Sequence, residues 1–340
     1  MREPAFWWRE RSIAASLLGP AATLYGGITA RRMAQRGRCA SIPVVCVGNF
    51  TLGGTGKTPT AIALARRLIA AGFSPFFVSR GYGGRLKGPL RIAGHVAGEV
   101  GDEPLLLARV APTIVARDRP SGAALAAAGG ADVLILDDGL QNPSLEKDFA
   151  LALVDGRRVL GNSRVFPAGP LRAPFGAQLS RVNALLIVGP QSERCELVIE
   201  ASRARGVPVF YGQLRADLNA ISALIGQPAL AFAGIAYPEK FFATLEACRI
   251  PVAVRAAFPD HHHYRPTEIS ALISRAECEG LALVTTEKDL ARMRDEPAAA
   301  ELFSRARALP VTMEFASDKV GLGDVVATAC GQAIAGGRRA

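Results

Sequence analysis

Seven apolar runs of strand length recur between Ile42 and Gly212: PVVCVGN, PFFVSR, PTIVA, DVLILDD, FALALVD, ALLIVG and VPVFYG. Several are apolar without interruption, as expected for strands of a parallel sheet covered on both faces. Segments with helical spacing separate them, such as the Ala- and Leu-rich stretch from Thr60 to Ala71. After a connector the alternation resumes in PALAFAGIAYPEKFFATL, IPVAVRAAFPDHHHY, LALVTTEKDLARM and LPVTMEF. The pattern predicts an α/β protein: a mostly parallel sheet domain at 36–212, a connector at 213–227 and a second, smaller α/β domain at 228–340. A chain of 340 residues, about half of it apolar, accommodates two such cores.

Residues 1–35 differ from the rest. Ile13 to Ala30 carry no charge, Trp7, Trp8 and Arg9 precede them, and Arg31 and Arg32 follow. Aromatic and basic residues flanking an apolar stretch suit a membrane interface. Gly19-Pro20 breaks the stretch in its middle, and its length barely reaches a bilayer span. Three readings stay open: an interfacial or partly inserted anchor, a helical hairpin packed on the rest of the chain, or a transmembrane helix.

The first apolar run leads directly into TLGGTGKT, Thr51 to Thr58. A strand, a glycine-rich turn, Lys-Thr and then a helix is the order of a phosphate-binding loop. Backbone N–H groups of Gly53, Gly54, Thr55 and Gly56 would face a polyphosphate, with Lys57 at the β/γ-phosphates and Thr58 on Mg²⁺. The usual first glycine of this motif is Thr51 here. The motif makes the larger domain P-loop NTPase-type and predicts ATP with Mg²⁺ as ligands.

About eighty residues later VLILDD ends in Asp137 and Asp138, carboxylates at a strand end where they can hold Mg²⁺ or its water. GDEP places Asp102 and Glu103 at a helix start. There they serve either as favourable first-turn acids or, for Asp102, as a general base toward a hydroxyl. His261, His262 and His263 form a run that does not suit a helical two-histidine metal site, but can offer one imidazole to an acid. Arg80 and Arg172 lie in Gly/Pro-rich loops after strands, where arginine can hold phosphate bidentately.

These segments together resemble one family, the tetraacyldisaccharide 4′-kinases that phosphorylate a lipid A precursor. The strings carrying the resemblance are VGNFTLGGTGKTP, SRGYGG, VGDEPLLLAR, ILDDGLQ, FPAGPLR, AFAGIAYPEKFF, FPDHHHY and LVTTEKD, spread in order from Val44 to Asp289. The family's phosphate loop likewise lacks the first glycine. The resemblance implies transfer of the ATP γ-phosphate to the 4′-hydroxyl of an acylated glucosamine disaccharide 1-phosphate. It implies Mg²⁺ and attachment to the cytoplasmic face of a Gram-negative inner membrane, whose anionic surface would be a partner.

By position it implies that Lys57 and Thr58 serve the phosphates, and that Thr58, Asp137, Asp138 and Glu103 form the magnesium site. Asp102 becomes the catalytic base, assisted by His261 or His262. Arg80, Gln141, Asn142 and Arg172 are placed near substrate. Members of the family often carry histidine where this chain has Asn142.

Charge and cysteine content add little. The formal net charge is +10, mostly from arginine. That suits an anionic partner, and equally a compositional bias. No RNA-recognition signature or zinc-finger spacing supports nucleic acid as a partner. Six dispersed cysteines with no C-x-x-C pair read as reduced thiols. The competing class is a membrane-associated P-loop ATPase acting as a switch or positioning protein. TEKD, Thr286 to Asp289, does not fit the guanine-reading N/T-K-x-D spacing of a GTPase. Oligomeric state is not set by any of these features.

Overall fold

The computed structural model describes residues 3–316 and 321–336. Its strands, numbered in chain order, are β1 Val44–Asn49, β2 Pro75–Ser79, β3 Leu90–Arg91, β4 Thr113–Val115, β5 Val133–Asp137, β6 Phe149–Asp155, β7 Ala184–Val188, β8 Val209–Ala216, β9 Ala229–Ala233, β10 Val252–Ala257, β11 Ala282–Thr285, β12 Arg307–Ala308 and β13 Val311–Phe315. Nine form one sheet in the order β13-β8-β7-β6-β1-β5-β2-β4-β3, and four form another in the order β10-β9-β11-β12. The small sheet is wholly parallel. In the large sheet only the two edges, β13 on β8 and β3 on β4, are antiparallel.

The unbroken apolar runs are explained by burial on both faces. In β1, Val44 and Cys46 face one core while Val45 and Val47 face the other. β5 divides in the same way, with Leu134 and Leu136 opposite Ile135 and Val133. A period-2 strand flanked by two apolar layers has no polar side to show. β1 lies between β5 and β6, so the loops at the C-terminal ends of β1 and β5 emerge side by side.

One boundary differs from the expectation. LPVTMEF was expected in the second domain at 228–340, but β13 pairs with β8 of the large sheet, in register from Val311↔Ala216 to Phe315↔Gly212. The helix Leu322–Ala335 then packs Leu322, Val326 and Cys330 into the same core as Val45 and Leu151. Apolar alternation marks a strand but not its sheet. β8, reaching past Gly212 to Ala216, offered an open edge that β13 closes.

The N-terminal stretch forms two helices, Ile13–Leu17 and Gly19–Met33, with Pro20 in the first turn of the second. Among the described residues no helix is long and apolar enough to cross a membrane. The pair packs on the loop before Phe175: a Cβ at Gly26 would touch Pro174 and Val165, Tyr25 meets Phe166 edge to face, and Arg164 donates to the Ala15 carbonyl. Its other side leaves Ile13, Leu17, Leu24 and Ile28 exposed.

Because the helix Leu322–Ala335 packs into the large-sheet core, Val326→Asp, which buries an unpaired charge, should destabilise that unit by roughly 3 kcal/mol or more. Amide exchange should speed up first in β1, β6 and β8. Loss of protection confined to β9–β11 would contradict the placement.

Candidate active site

A cleft of about 1700 Å³ is lined by residues of the large-sheet unit and by loops and helices of the small-sheet unit. The phosphate loop forms one wall. Gly56 has φ +91, a left-handed conformation that glycine adopts without strain, and it turns the chain into the helix Lys57–Ala70. Gly54 has open space around it. Asn49, buried at the end of β1, donates to the Gly53 carbonyl at 3.4 Å and accepts from Lys57 Nζ at 3.3 Å. Burial acts against the Lys57 ammonium and draws its pKa below the usual lysine value, with Asp138 opposing and Arg172 adding to the effect.

The two carboxylates at the end of β5 have different surroundings. Asp138, at φ +55, pairs with Arg172 at 2.8 Å and lies 3.7 Å from Lys57. Burial would raise its pKa, but Arg172, Lys57 and Arg119 hold the carboxyl well below the usual range. Arg172 also donates to the Thr51 carbonyl at 3.0 Å, so it ties Asp138 to the phosphate loop. Asp137 is 2 % exposed and receives only a long hydrogen bond, 3.5 Å, from Thr58 Oγ1. Its other oxygen, Oδ1, has no partner. Burial, then the charges of Glu103 and Asp138, push its pKa up to about 7.

A buried carboxylate with an unpartnered oxygen beside a P-loop hydroxyl fits a divalent cation. Among the described residues no group of three or more His, Cys, Asp or Glu side chains forms a metal cage. Magnesium in nucleotide sites takes most of its ligands from phosphate and water, so Thr58 and Asp137 suffice as protein contacts. Glu103, expected at the metal, lines the cleft with Thr58 and Asp137, and its Oε1 accepts from Lys288 Nζ at 2.5 Å. That lysine comes from the helix Glu287–Met293, after β11 of the small sheet.

The histidine run separates into three fates. His261 Nδ1 lies 3.3 Å from Asp102 Oδ1, and its ring lines the cleft beside Tyr82, 4.9 Å between centroids. His262 turns away, stacks on Phe258 and binds Glu268 at 2.8 Å, so it is not the partner of Asp102. His263 is exposed, 3.8 Å from Glu296. Asp102 itself is 3 % exposed and lies behind the imidazole. Its Oδ1 accepts from the Glu103 N–H and its Oδ2 from Arg292. Burial favours the neutral acid, but the His261 hydrogen bond and the Arg292 and Lys288 charges prevail and keep it ionised. Burial disfavours protonated His261, and Asp102 outweighs it, so the imidazole pKa is raised. The expectation that Asp102 meets the hydroxyl directly therefore gives way to a pair in which the cleft-facing group is His261.

The remaining candidates are partly committed. Arg80 is exposed at the cleft. Gln141 donates to the Asn49 carbonyl and to Gln178 Oε1, both at 2.7 Å, and so braces the β1 end. Asn142 lines the cleft while its Oδ1 accepts from Ser144 N–H. Arg119, Lys288 and Arg292 were not singled out from the sequence. Arg119 is buried, lines the cleft, donates to the Asp138 carbonyl and leaves Nη1 unpartnered. Lys288 and Arg292 lie in or just after LVTTEKD, a string whose only signal was its resemblance.

A model of the family Tetraacyldisaccharide-1-P 4′-kinase, LpxK, matches residues 14–330. The chain belongs to this family. Tetraacyldisaccharide 4′-kinase of Methylobacterium sp. (strain 4-46) is 55% identical over 325 residues, 95% of this chain and 96% of the relative. The protein of the same name from Bradyrhizobium sp. (strain BTAi1) is 50% identical over 329 residues, 96% and 95% of the two chains. The crystal structure of LpxK from Aquifex aeolicus in complex with ATP has the same fold, with TM-score 0.70, 24% identity, and coverage of 94% of this chain and 99% of that one. Membership makes this LpxK-family chain a kinase and sets aside the switch ATPase.

The unpartnered Asp137 yields a stability prediction. Its folded pKa lies above the unfolded value near 3.9, so ionisation penalises folding. The penalty is absent below about pH 4, grows up to about pH 7 and stays constant above. Asp137→Asn should stabilise ligand-free protein at pH 8 by roughly 1–4 kcal/mol, with no gain at pH 4, while abolishing turnover. Urea titrations at both pH values check this; a variant less stable at pH 8 would refute the isolated-carboxylate reading.

Proposed function

We propose that the cleft transfers the γ-phosphate of Mg-ATP to the 4′-hydroxyl of a tetraacyl glucosamine disaccharide 1-phosphate, a step in lipid A biosynthesis. The observation that carries this reading is a single cleft shared by three parts: the phosphate loop at Gly53–Thr58, Asp137 with its open oxygen, and the Asp102–His261 pair. Family membership and the substrate named for the relatives support it.

Phosphoryl transfer proceeds through a loose transition state, so alignment and charge stabilisation dominate. Backbone N–H groups of the loop and the Lys57 ammonium would hold the phosphates. Thr58 and Asp137 would hold magnesium, which would supply neutralisation of the phosphate charge. Arg119 and Arg172 keep Asp138 ionised and the loop in place. His261 would take the sugar hydroxyl proton while Asp102 stabilises the resulting imidazolium, which divides the work as a nucleophile's base and its orienting acid do. Arg80, exposed in the same cleft, is suited to the substrate's anionic group.

The same reading places the chain on the cytoplasmic face of the inner membrane. Ile13, Leu17, Leu24 and Ile28 stand exposed among Arg9, Arg11, Arg31 and Arg32, all exposed. Apolar side chains with basic neighbours favour insertion at an anionic leaflet.

Purified protein with Mg-ATP and the tetraacyl disaccharide 1-phosphate in micelles should yield a lipid heavier by one phosphate. Lys57→Ala should lower the rate by about 10³-fold or more, and His261→Ala by about 10²–10⁴-fold. ATP hydrolysis without lipid phosphorylation would overturn the substrate assignment. In a separate test, vesicles containing phosphatidylglycerol should float the protein, and Ile13→Asp with Leu24→Asp should abolish flotation without altering the melting temperature. Unchanged flotation would refute the membrane-facing role of these helices.

A further inference from the structure

His261 has φ +55, a left-handed backbone that residues other than glycine seldom adopt. Something must hold it there. Its N–H donates to the Gly234 carbonyl at 3.0 Å. That same carbonyl accepts from Arg292 Nη1 at 3.4 Å, and the carbonyl of His262, on the other side, accepts from Nη1 at 3.0 Å. Nη1 also reaches Asp289 at 3.0 Å, and Asp289 in turn accepts from the Gly234 N–H and the Tyr264 hydroxyl. One nitrogen of Arg292 thus grips the histidine loop.

The other nitrogen crosses to the large-sheet side. Nη2 donates to Asp102 Oδ2 at 2.5 Å, which leaves Oδ1 facing His261. Arg292 is almost fully buried, as are both of its carboxylate partners. Asp102 follows Gly101 on the large-sheet side, whereas Arg292 and His261 belong to the small-sheet unit. The imidazole and its acid therefore come from different units, and one planar cation touches the supports of both.

We propose that Arg292 is the positioning residue that assembles the Asp102–His261 pair across the cleft. The proposal rests on the catalytic reading of that pair. Arginine is required because its fixed fork of donors spans two acceptor sets at once, whereas a lysine ammonium offers a single point charge. Arg292 is buried and does not line the cleft, so its removal acts on turnover through the pair's geometry.

The test is a double-mutant cycle in the phosphorylation assay, using full-length Arg292→Lys, His261→Ala and the double variant. Arg292→Lys should lower kcat about 10- to 100-fold with KM for ATP within about threefold. In the His261→Ala background it should cost less than about threefold, because the group it positions is gone. An Arg292→Lys enzyme with wild-type kcat, or an equal loss in both backgrounds, overturns the proposal. A His261→Ala enzyme with wild-type kcat overturns instead the reading of the pair on which the proposal stands. Should Arg292→Lys fail to fold, guanidinium ion added to Arg292→Ala supplies the same contacts. Restored kcat supports the positioning role, and a restored melting temperature without turnover refutes it.

Discussion

Two adjacent carboxylates at the end of a buried parallel strand are the constraint around which the site is arranged. Ions removed from water cost several kcal/mol each unless charge and hydrogen bonds replace the solvent. Asp138 keeps part of its side chain toward the cleft and is paired with Arg172 and Lys57. Asp137 is buried and its Oδ1 has no hydrogen-bond partner. The same carboxylates fix the phosphate loop, because Lys57 and Arg172 reach the loop and Asp138 together. Stability and readiness for a nucleotide are thereby set against each other at one residue.

The second constraint is that the chemistry is divided between two cores. The large sheet provides the phosphate loop, Asp102 and Asp137, while the small-sheet unit provides His261, Lys288 and Arg292. Ion pairs cross the division at Arg292–Asp102, Lys288–Glu103 and Lys240–Asp155. Breaking a buried charge pair leaves an uncompensated ion out of water, and the pair's hydrogen bonds tolerate little misalignment. These pairs therefore define one relative placement of the two units, the placement that joins imidazole and acid. The return of β13 to the large sheet anchors the far end of the small unit in the same way through backbone hydrogen bonds.

Local features were legible because their physics is local. The parallel sheet follows from unbroken apolar runs, the phosphate loop from its glycines and Lys-Thr, and the N-terminal break from Gly19-Pro20. The partners of Glu103 and His262 were hidden for the opposite reason. Glu103 looks available until Lys288, 185 residues later, is seen bound to it. His262 is chemically identical to His261 and differs only in which way a left-handed backbone turns the ring. Arg119 carries no pattern at all, since its value comes from burial against Asp138.

The sequence alone therefore determined the fold class, the phosphate-binding loop, the acidic strand end and the family, all of which rest on neighbouring residues and their spacing. Tertiary structure alone decided the sheet that takes β13, the histidine that meets Asp102, the carboxylate oxygen left without a partner, and the contacts of Arg292 on both sides of the cleft. Each of those depends on which charges exclude water together, and that is settled only when segments distant in the chain close on one another.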